Sequence, residues 1–157
     1  MTGVQTCALP ILNQAKPTRT DLVAAADKTL KDVIARDLSV LFCGINPGLY
    51  SAFTGHHFAR PGNRFWPALY VGGFTDRLLQ PFEERELLSC GYGITNLVER
   101  ASATADQLAP DELIAGGKKL RAKVLRYRPH FLAILGVGAF RIAFARPKAV
   151  LDRKSVV

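Results

Sequence analysis

Cysteine is scarce in this chain, and Cys7, Cys43 and Cys90 include no CxxC pair. An odd, scattered set excludes a disulfide framework, a structural zinc site and an iron–sulfur cluster, and it fits a reducing, cytoplasmic setting. No apolar run approaches the ~18 residues of a bilayer span. The N-terminus lacks a basic region, and Pro10 breaks its short apolar portion, so no signal peptide is read. Histidine is limited to His56, His57 and His130. Sequence neighbours point in different directions and the third histidine is remote, so no metal site is expected. Gly136-Val137-Gly138 lacks the third glycine and the distal acid of a dinucleotide fingerprint. Walker A, GxSxG and HExxH motifs are also missing. Acid is the scarcer charge: 13 Asp and Glu against 21 Lys and Arg leave a net charge of +8. That balance favours a polyanionic partner, nucleic acid first and an anionic membrane surface second, although it serves solubility equally well.

What is present is a chain of 157 residues, enough for one domain. Hydrophobic residues make up 48%, and the mean hydropathy is +0.10, which provides a real core and excludes wholesale disorder. Residues 1–18 show no period and read as a leader. Thr20-Asp21 offers an N-cap for an amphipathic helix over 21–35. Residues 38–43 form an apolar run too short for a helix, hence a buried strand. Residues 46–63 read as a long loop, and long loops in compact domains are usually functional. Asn63 can cap a helix through Phe65, Trp66, Leu69 and Tyr70. A short helix over 81–89, a strand over 93–98, a helix over 110–127, a strand over 130–135 and a helix over 139–144 complete the chain. Short apolar strands alternating with helices predict an α/β fold, a mostly parallel sheet covered on both faces. Three strands are few for such a sheet.

Two stretches could carry chemistry. In Gly44-Ile45-Asn46-Pro47-Gly48 a buried strand breaks into a Gly/Pro loop, at the strand end where α/β sheets bind ligands. The Asn46 amide can orient a water or a polar ring edge, or it can simply be a turn residue before proline. In the second stretch, His56 to Trp66, Phe58 is either a stacking surface for a planar base or a core aromatic. His56 and His57 either contact phosphate or base or only shape the loop. Arg64 either pairs with phosphate or faces solvent. The basic run from Lys118 to Arg128 is either a solvated helix face or a source of non-specific phosphate attraction.

The chain resembles the mismatch-specific uracil/thymine-DNA glycosylases of the uracil-DNA glycosylase superfamily. Leu41-Phe42-Cys43-Gly44-Ile45-Asn46-Pro47-Gly48-Leu49, Gly55-His56-His57-Phe58 and Pro61-Gly62-Asn63-Arg64-Phe65-Trp66 carry the likeness. It continues through Gly73-Phe74-Thr75, Gly93-Ile94-Thr95-Asn96-Leu97-Val98, Gly116-Gly117 and Ala133-Ile134-Leu135-Gly136. The resemblance implies a three-layer α/β/α fold, no cofactor and no metal. It implies a monomeric, nucleoid-associated DNA repair enzyme that flips uracil, thymine or ethenocytosine opposite guanine out of double-stranded DNA. Asn46 would position the attacking water and Phe58 would stack on the extruded base. Gly44 and Ile45 would frame the pocket, Asn96 would border it, and His57 and Arg64 would contact DNA. The family's later Asn-Pro-Ser-Gly segment has no match here. The expectation is therefore a domain over 19–150 lacking its last strand and helix, with non-native ends at 1–18 and 151–157. Two other readings stay open: a non-catalytic binder of mismatched or damaged DNA, and an α/β enzyme acting on free nucleosides.

Overall fold

The computed structural model describes residues 16–26 and 28–151. Most of the expected leader and nearly all of the expected tail lie outside the described residues. Three strands, β1 (Val40–Gly44), β2 (Tyr92–Asn96) and β3 (Phe131–Ile134), form one sheet in the order β2-β1-β3. Both pairings are parallel. β1 and β3 carry no polar side chain apart from the Cys43 thiol, as suits a sheet covered on both faces, whereas β2 ends in Thr95 and Asn96. Phe42 and Ile94 turn to a layer holding Trp66, Leu69 and Leu87. Cys43 turns the other way, toward Leu97, Leu113, Leu120 and Ala139.

The first face is covered by α3 (Phe65–Val71) and the 3₁₀ helix Pro81–Leu88. The second is covered by α4 (Pro110–Tyr127) and α5 (Val137–Ala143). The fold is thus the α/β arrangement expected, a parallel sheet between helices. The α4 helix starts as its sequence predicts. Pro110 fits the first turn, and the Glu112 carboxylate accepts the Ala109 N–H at 2.9 Å. Its glycines serve close packing: a Cβ on Gly117 would sit 2.7 Å from the Ala143 carbonyl oxygen of α5.

The helix expected over 21–35 is not formed. In its place, α1 (Arg19–Ala24) is capped by Thr18, not Thr20, with Thr18 Oγ1 accepting the Asp21 N–H. Val33 instead makes an antiparallel bridge to Ile94, with N–H to carbonyl distances of 2.9 and 2.8 Å. The spacing of Leu30, Val33 and Ile34 mimics a helix, but β-branched Val33 is used to cover the outer edge of β2. The expected loop over 46–63 contains a further helix, α2 (Leu49–Thr54), between Gly48 and Gly55. Its six residues, bounded by Gly and Pro, leave too little periodicity to read. Asn63 is not the N-cap of α3; Arg64 is, while Asn63 Oδ1 accepts the Phe65 N–H at 2.9 Å. Residues 81–88 wind as 3₁₀ rather than α. The remaining boundaries differ by one or two residues, the ordinary scatter of element ends.

The contact at Gly117 gives a stability test. Alanine is worth about 1 kcal/mol over glycine in a helix interior. Here the added methyl must push α4 from the backbone of α5, and overpacking of this kind costs about 1–3 kcal/mol. Gly117→Ala is therefore expected to lower the Tm, as measured by thermal denaturation; a raised Tm would show that the two helices separate freely.

Candidate active site

The carboxyl ends of the three strands open into a cleft of about 540 Å³. Its lining brings together Gly44, Ile45, Asn46, His57, Phe58 and Asn96. These residues span the sequence from Gly44 to Asn96. The parallel pairing accounts for their convergence: Gly44 is in register with Asn96, so the ends of β1 and β2 lie side by side.

Asn46 sits two residues past β1, and both of its amide hydrogens are taken by the protein. Nδ2 donates to the Arg100 carbonyl at 2.9 Å and to Ser102 Oγ at 2.7 Å. This fixes the amide plane and leaves Oδ1 as the open acceptor on a half-buried residue. The accepting loop is itself anchored. Ser102 N–H donates to the Pro47 carbonyl at 3.1 Å. Arg100 grips Glu112 with two bonds, at 2.9 and 3.0 Å. The Arg100 guanidinium, helped by the Ala109 N–H, holds the Glu112 carboxyl down at about 2.

Gly44 forms the floor because nothing larger fits. A Cβ there would lie 2.5 Å from Asn96 Oδ1 and 3.3 Å from Phe58 Cζ. The Phe58 ring stacks on Phe65, with centroids 4.0 Å apart and planes at 23°. Asn96 is buried, and its Nδ2 faces His57 Nδ1 at 3.4 Å. His57 Nε2 faces the Lys31 carbonyl at 3.1 Å. A carbonyl only accepts, so the hydrogen-bond pattern assigns the ring proton to Nε2 and the lone pair to Nδ1. Asn96 then donates to His57 and keeps Oδ1 on the Gly44 side, at the cleft.

The two residues expected at DNA are placed differently from the rest. His57 is only 2% exposed and both ring nitrogens face protein atoms, so it supports the floor from beneath instead of meeting a phosphate. Arg64 is exposed at the start of α3, outside the cleft lining. The cation in the lining is Arg60, which the sequence reading passed over although it lies two residues after Phe58. Leu22, Leu30 and Ser102 also line the cleft, and no motif marks them. The basic run of α4 ends beside the start of β1, away from the cleft: the Asp37 N–H donates to the Tyr127 carbonyl, and Arg128 pairs with Asp37 at 3.1 Å. Lys123 pairs with Asp32 at 2.6 Å. Among the described residues no group of three His, Cys, Asp or Glu side chains is placed to hold a metal ion. No helix among the described residues is long and apolar enough to cross a membrane. Burial pushes the Cys43 thiol up to about 12, so it is inert near neutral pH.

The sequence matches the profile of the Uracil DNA glycosylase superfamily over residues 31–156. The chain belongs to that superfamily, and membership implies a DNA N-glycosylase, a hydrolase that removes uracil from DNA in base excision repair.

The depressed carboxyl of Glu112 gives a pH test. A carboxyl lowered in the folded state stabilises above its ordinary value of 4.5, and that contribution fades as pH falls toward about 2. The Tm difference between wild type and Glu112→Gln is expected to be present above pH 5 and to close by about pH 2. A difference that does not vary with pH would show that the ion pair does not anchor the Asn46 loop.

Proposed function

We propose that this member of the superfamily is a mismatch-directed glycosylase that excises uracil, and more slowly thymine, opposite guanine in double-stranded DNA. The observation that carries the reading is the Asn46 amide in the cleft lining, tethered through both hydrogens so that Oδ1 is its remaining acceptor. A neutral amide is too weak to be a strong general base, but it can hold and aim a water. The reaction tolerates this. The C1′–N1 bond breaks with its electron pair leaving on the base, through an oxocarbenium-like state. The water oxygen then bonds to C1′ and loses a proton, which neutralises the departed base anion. Donors fixed around the departing base lower the barrier without reorganising.

The pocket suits a pyrimidine carrying an N3 hydrogen. Phe58 is covered by Phe65 on one face, which leaves the other for a stacked base. Gly44 keeps that space open and Ile45 borders it. Asn96 Oδ1 accepts from N3–H, which uracil and thymine possess. Cytosine presents a lone pair at that atom and is repelled. Ethenocytosine, with no hydrogen there, fits less well. Arg60 takes the phosphate role first expected of Arg64.

Release of base from a labelled G·U duplex, read as alkali-labile strand cleavage, tests the reading. Asn46→Ala is expected to lose at least about 100-fold in rate while duplex affinity holds within about threefold. Wild-type rates in that variant would remove Asn46 from the mechanism. Tight G·U binding by wild type without release would instead establish a non-catalytic binder, and turnover of free deoxyuridine a nucleoside enzyme. Arg60→Ala is expected to weaken matched and mismatched duplex alike and to reduce the salt slope by about 1. An unchanged slope would place the phosphate contact elsewhere.

A further inference from the structure

Phe58 has a backbone φ of +53°, in the left-handed region that a bulky residue rarely occupies. Such a conformation persists only when its surroundings over-determine it. Here the two flanking amides are each seized by a buried side chain. The His57 N–H donates to Glu84 Oε2 at 2.7 Å, and the Ala59 N–H donates to Ser51 Oγ at 3.1 Å. Glu84 comes from the 3₁₀ helix on one side and is 8% exposed; Ser51 comes from α2 on the other and is 6% exposed. The second Glu84 oxygen faces His56 Nδ1 at 3.3 Å. The Trp66 ring N–H closes the third side, donating to the His57 carbonyl at 3.3 Å.

We propose that Glu84 and Ser51 are positioning residues for the base-stacking step, a two-sided clamp that holds Phe58 in its left-handed turn over Gly44 and against Phe65. The inference rests on the reading of Phe58 as the stacking platform. Burying a carboxylate is costly unless its oxygens are satisfied. A carboxylate that spends one oxygen on a backbone amide and the other on a neighbouring ring fixes two consecutive residues ahead of Phe58. Freed of either acceptor, the turn relaxes toward negative φ, and the ring leaves the position from which it can meet a base. Glu84 lies outside the cleft lining; Ser51 borders it, but its Oγ is engaged by the Ala59 N–H, so each is assigned its effect through Phe58.

A double-mutant cycle tests this. Excision from a G·U duplex is measured for wild type, Phe58→Ala, Glu84→Ala, Ser51→Ala and the two doubles with Phe58→Ala. Each clamp variant is expected to lower kcat/KM about 10-fold alone and less than about threefold in the Phe58→Ala background, the coupling of residues that act as one unit. Glu84→Gln, which keeps an acceptor for the His57 N–H, is expected to recover to within about threefold. Equal losses in both backgrounds would make Glu84 and Ser51 structural only and overturn the proposal. A fully active Phe58→Ala would instead refute the platform itself. A readout independent of activity comes from Trp66, the single tryptophan of the chain. Glu84→Ala is expected to shift its emission to the red and to raise acrylamide quenching, with the melting transition still cooperative. Emission and quenching identical to wild type would show an unmoved turn and overturn the clamp even if no base is released.

Discussion

The structure depends on the pairing of β1 with a strand on each side. A central strand hydrogen-bonded along both edges is held straight, and in parallel sheets the irregular chain beyond its carboxyl end is where ligands bind. There Gly44 is in register with Asn96, and Leu135 N–H still donates to the Cys43 carbonyl at 2.8 Å. The loop that follows is therefore aimed by the sheet. Every group in the cleft is placed relative to those last two β1 residues.

Around that point the polar groups come in fixed orientations. Of the asparagines lining the cleft, two have amide nitrogens that donate to protein partners: Asn46 to the 100–102 loop, Asn96 to His57. Both are left presenting an oxygen. A side-chain amide that is free to rotate offers donor and acceptor indifferently; one that is tethered has a single chemical face. This is how residues with no useful pKa acquire a directed role, and none of the described buried side-chain polar atoms is left without a partner. The rigid scaffolding lies one layer further out, in the Arg100–Glu112 pair and in the Glu84 and Ser51 bonds to the Phe58 turn.

Charge is distributed otherwise than composition suggests. The excess of base over acid is real, yet in the densest run, Lys118 to Arg128, Lys119, Lys123 and Arg128 are engaged in ion pairs with Glu99, Asp32 and Asp37, and the run ends at the side of the sheet remote from the cleft. The net charge of +8 thus acts as a long-range field that draws a polyanion inward, and falls off with salt. At the cleft itself the lining contributes the Arg60 guanidinium.

The sequence by itself determined the elements whose signal is local. The three short runs became strands because they are too short for helices; β1 and β2 are buried over four of their five residues, while β3 is only half-buried. The α4 helix appeared where Pro110, Asp111 and Glu112 begin it. Gly44 to Gly48 marked the cleft because a strand breaking into Gly and Pro is visible residue by residue. Only the tertiary structure decided what depends on a distant partner. Val33 was given to β2 rather than to a helix because Ile94 had an unpaired edge. His57 was drawn beneath the floor because Asn96 and the Lys31 carbonyl each faced one ring nitrogen. Arg60 rather than Arg64 reached the cleft: Arg60 follows closely on the turn at Phe58, whereas Arg64 already opens α3. Periodicity records which residues are buried, whereas register and turn direction are settled by hydrogen bonds between segments that the sequence does not place side by side.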